Sequence, residues 1–199
     1  ATGGGCSSDD QDLLQRKGLY MAVTTKGGDH FGENAINNYL TGHKIALKQA
    51  FISKNNNDLK KAYAYEAYAQ HYLTDIFASG HMRTPIDNLI NLKDEKTLDG
   101  ISALIKLFNN TITTKEIFLA FAKIMHDDDN KNGIYLISKK NQTPWIAYGD
   151  SYLFIKNNAY NIQYLQKVMK LGVDQVFLTF TQKDLITENR LNKYLNDTN

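Results

Sequence analysis

Apolar and polar positions alternate with a helical period along most of the chain. Between Glu33 and Ser53 the apolar side recurs as Ile36, Leu40, His43, Leu47 and Ala50, a spacing that lays one stripe along a helix. The Asn/Asp-rich connector "KNNND" at 54–58 separates it from a second predicted helix, about Leu59 to Phe77, on which Ala64, Tyr68, His71 and Asp75 share a face. A third helical segment is expected from about Glu95 to Asn109, carrying Leu98, Ile101, Leu104, Ile105 and Phe108. Thr113 followed by Glu116 predicts a cap and a fourth helix over about 115–126, which "HDDDNKNG" then ends. The pattern changes in "GIYLISKKNQTPWIAYGD", where β-branched and aromatic residues flank a polar turn. This predicts a short hairpin with strands near 134–138 and 145–148. Two more helices, 158–178 and 182–195, close the chain. Upstream, 13–25 is weakly periodic and broken by Gly18, and "KGGDHFGEN" reads as a Gly-rich turn. The expected fold is therefore mainly α: a single helical domain over 1–199 with a small β-hairpin near residues 134–148.

Composition changes this picture little. Apolar residues make up 42% and charged residues 22% of the 199, ordinary for a globular chain with a real core. The net charge of +2 gives no argument for nucleic acid, a membrane surface or an acidic partner. The lone Cys6 excludes an internal disulfide. No run of eighteen apolar residues exists to span a bilayer, and no stretch reads as a signal peptide. The opening "ATGGGCSSDDQD" reads as flexible loop over 1–12, and predicts that an upstream segment of the natural chain is missing.

The chemistry lies in the histidines, five in all. His71 and Asp75 are one helical turn apart, so a nitrogen and an oxygen can face one centre. Both are good zinc ligands. His81 follows Ser79-Gly80, read as a break that turns the chain and presents the ring from another direction. His30 sits in "GGDHFG", where glycines let the backbone come close to a site. His126 precedes three carboxylates at an expected helix end. Each feature alone has a plainer reading, since i,i+4 His–Asp pairs arise easily on helix surfaces; the combination is what points to metal. His43, on its apolar stripe, is read as a buried structural histidine. Tyr68 and Tyr72 are read as packing residues able to orient ligands, Trp145 as the anchor of the hairpin, and Lys26 and Arg83 as solvated cations. Asp128, Asn130, Asn132 and Gly133 fit the early positions of a calcium loop, but Lys139 stands where its bidentate Glu is required.

Taken in order, His30-Phe31, then "HYLTDIFASGH", then a His before a carboxylate cluster resemble the zinc-dependent phospholipase C and P1 nuclease superfamily over roughly residues 19–150. "MHDDDNKNG" and "PWIAYGD" look most like a bacterial phospholipase C subgroup. The resemblance implies that His30, His71 and Asp75 hold one zinc, with Asp75 able to bridge to a second. It implies that His81 and His126 hold another, helped by a carboxylate. The family's Glu four residues after the last His is Asn130 here, leaving Asp129 or Asp127 for that role. Its third metal position uses the free amino end and an earlier His, and no His precedes His30, so two or three Zn²⁺ ions are implied. Its general-base Asp falls at Arg16, with Asp29 the nearby alternative. The implied activity is hydrolysis of phospholipids to diacylglycerol and a phosphorylated head group. The chain would be secreted or periplasmic, touch the membrane only peripherally and need no obligate protein partner, and nucleic acid would not be its substrate. The alternatives are a single-strand nuclease, or a non-catalytic helical binding domain that keeps metal as structure.

Overall fold

The computed structural model describes residues 28–107, 113–139, 142–154, 158–183 and 193. The expectations for 1–25, for Lys26 and for nearly all of the helix at 182–195 lie outside them. The described residues are mainly helical with one two-stranded antiparallel hairpin. A 3-10 turn at Gly28–His30 leads into α1 (Gly32–Ile52), followed by α2 (Asn56–Ile76), two short helices α3 (Ser79–Arg83) and α4 (Ile86–Ile90), then α5 (Glu95–Leu107) and α6 (Thr114–Asn132). Strands β1 (Ile134–Ile137) and β2 (Pro144–Ala147) pair with Leu136 opposite Trp145. A 3-10 turn at Asp150–Tyr152 and helix α7 (Ala159–Thr181) follow.

Small residues set how closely α1 and α2 pack. A Cβ on Gly42 would lie 2.7 Å from that of Ala69, so only glycine fits there. Ala46 and Ala50 of α1 meet Ala62 of α2, with Leu47, Leu59 and Val176 of α7 completing the core. The buried stripe of α1 runs through Ala35, Tyr39, His43, Ala46, Leu47 and Ala50. It is rotated from the expected one, leaving Ile36 exposed, because the contact follows the smallest side chains rather than the most apolar. α2 buries Leu59, Ala62, Glu66, Ala69, Gln70 and Leu73. The face bearing Tyr68 and His71 is therefore turned outward. Asn55 starts this helix by accepting from the amides of Asn57 and Asp58 at 2.9 and 3.0 Å.

One polar network crosses this core. His43 Nδ1 lies 2.6 Å from Glu66 Oε2, and His43 Nε2 lies 2.8 Å from Gln175 Oε1 on α7. Gln70 donates to the other Glu66 oxygen and to the carbonyl of Met169. Glu66 is 1% exposed, and these partners satisfy both of its buried carboxyl oxygens. His43 is buried as expected, and it is a staple between three helices.

The expected capping box starts α6: Thr113 Oγ1 accepts from the Glu116 amide and the Glu116 carboxylate accepts from the Thr113 amide. The helix does not stop near 126. It continues through "HDDDNKN" to Asn132, where Gly133 at φ 79° ends it. The reason is tertiary: His126, Asp129 and Asn130 are buried against α3, which outweighs the weak helix propensity of the Asp/Asn run. The calcium-loop pattern thus falls inside a helix, its exposed Asn132 donating to exposed Asp128 Oδ1 while Asn130 is buried on another face. Nor is Ser79-Gly80 a break. The chain turns at Phe77–Ala78, and Gly80 sits inside α3, where a Cβ would come within 2.4 Å of the His126 carbonyl oxygen. It is glycine for close approach, not for a left-handed turn. Trp145 ties β2 to α7 through Tyr164, with ring centres 5.6 Å apart.

Candidate metal centre

Two groups of side chains converge, each able to hold a metal ion. One is His30, His71 and Asp75, the other His81, His126 and Asp150; within each, the ligand atoms lie within 4.8 Å of one another.

The first group joins the 3-10 turn to the outward face of α2. His30 and His71 meet edge to face with ring centres 4.9 Å apart, and His30 Nδ1 lies 2.7 Å from Asp75 Oδ2. Phe31 is buried immediately after His30 and anchors the turn in a core with Ile86, Leu119 and Ala122. Tyr72 borders the site, its ring 5.1 Å from His30 and 5.3 Å from His71. Its hydroxyl pKa is pushed up to about 12 by the hydrogen bond to Tyr68, by burial and by the charges of Asp29 and Asp75.

The second group joins α3, α6 and the turn after the hairpin. His81 Nδ1 donates to the carbonyl of His30 at 3.0 Å, leaving Nε2 to face Asp150 Oδ1 at 3.5 Å. His126 Nδ1 donates to Asp127 Oδ1 at 3.1 Å, leaving Nε2 3.4 Å from Asp150 Oδ2. Each imidazole thus spends one nitrogen on a protein oxygen and turns the other inward, the outer support characteristic of metal-binding histidines. The rings of His81 and His126 are 4.7 Å apart, and Phe31 stacks on His81 at 4.8 Å. Residues 30 and 31 therefore bridge the two groups. Burial works against a charge on His81, but its hydrogen bond to Asp150 and the nearby carboxylates of Asp75 and Asp150 raise its pKa above the ordinary histidine value. Burial likewise opposes the Asp150 charge, and His81, His126 and Asn130 together hold its carboxyl below the usual range.

Asp129 is not where the sequence places it. It is 1% exposed, and its carboxylate receives both Nε (2.8 Å) and Nη2 of Arg83, so it is committed to an ion pair. Arg83 is correspondingly not a free cation, and its pKa is raised by that hydrogen bond. Asp127 supports His126 from outside, and the carboxylate inside the group is Asp150. Its signal in the sequence is "YGD". Asp150 has φ 46°, a left-handed conformation that few non-glycine residues adopt, and Gly149 before it lets the backbone press against Asn130. Asp29 is exposed in the 3-10 turn and belongs to neither group; its carbonyl accepts from Asn38.

A mainly helical chain with two adjoining His/Asp sites is the class that fold and geometry define. No family model, curated protein or solved structure matches the chain.

Proposed function

We propose that the protein is a zinc-dependent phosphodiester hydrolase of the phospholipase C kind, acting on phospholipids at the glycerol–phosphate ester. The observation that carries this reading is the adjacency of two groups, each with two imidazoles and one carboxylate. Three protein ligands with an open position is the arrangement of catalytic rather than structural zinc, and His/Asp donors suit that metal. Bound there, zinc would supply Lewis acidity toward phosphodiester oxygens and make water acidic enough to act as nucleophile at neutral pH. The residues do the positioning. His30 and Phe31 hold the two groups side by side, Asp75 and Asp150 set the negative charge that draws the cations, and the supporting bonds from His30 O and Asp127 fix the imidazole tautomers. The products would be diacylglycerol and a phosphorylated head group, and the site of action secreted or periplasmic. Any membrane contact would be peripheral, and none of the described helices is long and apolar enough to cross a bilayer.

A second reading, a single-strand nuclease, is favoured by one feature. Tyr65, Tyr68 and Tyr72 line a groove of about 170 Å³ beside the first group, and aromatic rings stack on unpaired bases. The net charge of +2 does not supply the basic channel such an enzyme uses. Diacylglycerol release from phosphatidylcholine vesicles, run beside cleavage of single-stranded DNA, separates the two. The expected result is lipid hydrolysis abolished by chelator and lowered about a thousandfold in His71→Ala, the several kcal/mol that metal assistance is worth. Chelator-insensitive hydrolysis would contradict the scheme.

A further inference from the structure

Asn130 lies against His126 and Asp150 of the second group, and its surroundings show what it does there. It is 2% exposed in α6, with every polar side-chain atom engaged. Its carbonyl oxygen accepts from the Gly80 amide at 2.7 Å and from Ser79 Oγ at 3.4 Å. Because the Gly80 N–H can only donate, the orientation of the carboxamide is forced and its NH₂ faces the ligands. From there Nδ2 donates to Asp150 Oδ2 at 2.8 Å and to the lone pair of His126 Nε2 at 3.1 Å, so the carboxamide gathers these two atoms in the metal-free chain. The fit is tight on both sides. A Cβ on Gly80 would come within 2.8 Å of the carboxamide, and one on Gly149 within 1.8 Å of its oxygen. The backbone amide of Gly149 donates to the main-chain carbonyl of Asn130 at 3.3 Å, which fixes the turn carrying the left-handed Asp150.

We infer that Asn130 is a positioning residue that sets the coordination number of the second site. It holds the Asp150 carboxylate between His81 and His126, and it withholds a fourth protein ligand. A carboxamide NH₂ has no lone pair to give a metal, whereas a carboxylate of the same shape would put an oxygen about 3 Å from His126 Nε2, at the distance the amide nitrogen now occupies. Asparagine therefore leaves the site three protein ligands, the number of an active rather than a structural zinc, once its NH₂ gives up the His126 Nε2 lone pair to the ion. The inference rests on the hydrolase reading for the presence of metal, but concerns only this chain's own residues.

Asn130→Asp and Asn130→Ala separate this role from simple packing. The aspartate keeps the acceptor for Gly80 and adds a ligand, at the cost of a second carboxylate against Asp150 in the metal-free chain. It is expected to lower the melting temperature of the metal-free protein, to bind Co²⁺ at the second site more tightly than the parent, and to shift the visible Co²⁺ spectrum through the added oxygen donor. The alanine releases Asp150 and is expected to weaken Co²⁺ binding about 10–100-fold. Opposite signs for the two variants support the inference. A parent chain that takes up Co²⁺ while Asn130→Asp binds no more tightly than Asn130→Ala overturns it alone. A parent chain that takes up no Co²⁺ overturns the hydrolase reading and this inference together.

Discussion

The two His/Asp groups are alike in composition and assembled differently. His71 and Asp75 of the first lie one turn apart on a single long helix, so any α2 that forms presents them together. Only His30 must be brought in, and buried Phe31 beside it does so. The second group has no such local core. His81 comes from a five-residue helix, His126 from the middle of α6, and Asp150 from a left-handed turn beyond the hairpin. They meet only because Ser79, Gly80, Asn130 and Gly149 interlock. The first site thus follows from secondary structure, and the second depends on tertiary contacts that one substitution can spoil.

The largest break in the comparison should come from Gly149→Ala. The added methyl collides with the Asn130 oxygen and the Ser79 amide, so the turn carrying Asp150 must move. One of two bound metals should be lost, with overpacking costing about 1–3 kcal/mol of stability. Metal analysis and thermal melts check this; loss of both metals would show that the two sites are not assembled independently, and loss of neither that the second does not depend on this turn.

A smaller effect is expected from pH. The raised His81 pKa stabilises the metal-free chain fully below the unfolded histidine value of about 6.5, and that stabilisation is lost as pH rises through the folded value. Metal requires the neutral ring, so the loaded chain gains over the same interval. The gap between loaded and metal-free melting temperatures should widen from about pH 6 to about pH 8, by about 2–4 °C for each kcal/mol. A gap that narrows would contradict the assignment of His81 to the inward-facing set.

The difference between the sites also explains what the sequence could and could not say. The helical period and the capping box at Thr113 are local, and the α fold and hairpin followed from them. His71 and Asp75 were legible for the same reason. His81 and His126 were legible as residue types in order, yet their settings were misread, because Gly80 serves packing and α6 runs on through its Asp/Asn run. Asp129, expected beside the second group, faces Arg83 instead, because neighbours in sequence point in different directions on a helix. Asp150 was out of reach, since the Gly149 turn that aims it is shaped by Asn130 nearly twenty residues earlier. The stripe of α1 was misjudged at Ile36 because close packing of alanines, not hydrophobicity, decides which face is buried.

The central claim is that distant imidazoles and carboxylates gather around shared cations. Anomalous scattering at the zinc edge from crystals of the zinc-loaded chain tests it most directly. The account predicts one peak among His30, His71 and Asp75 and a second among His81, His126 and Asp150. Peaks elsewhere on the surface, with both groups empty, would contradict it.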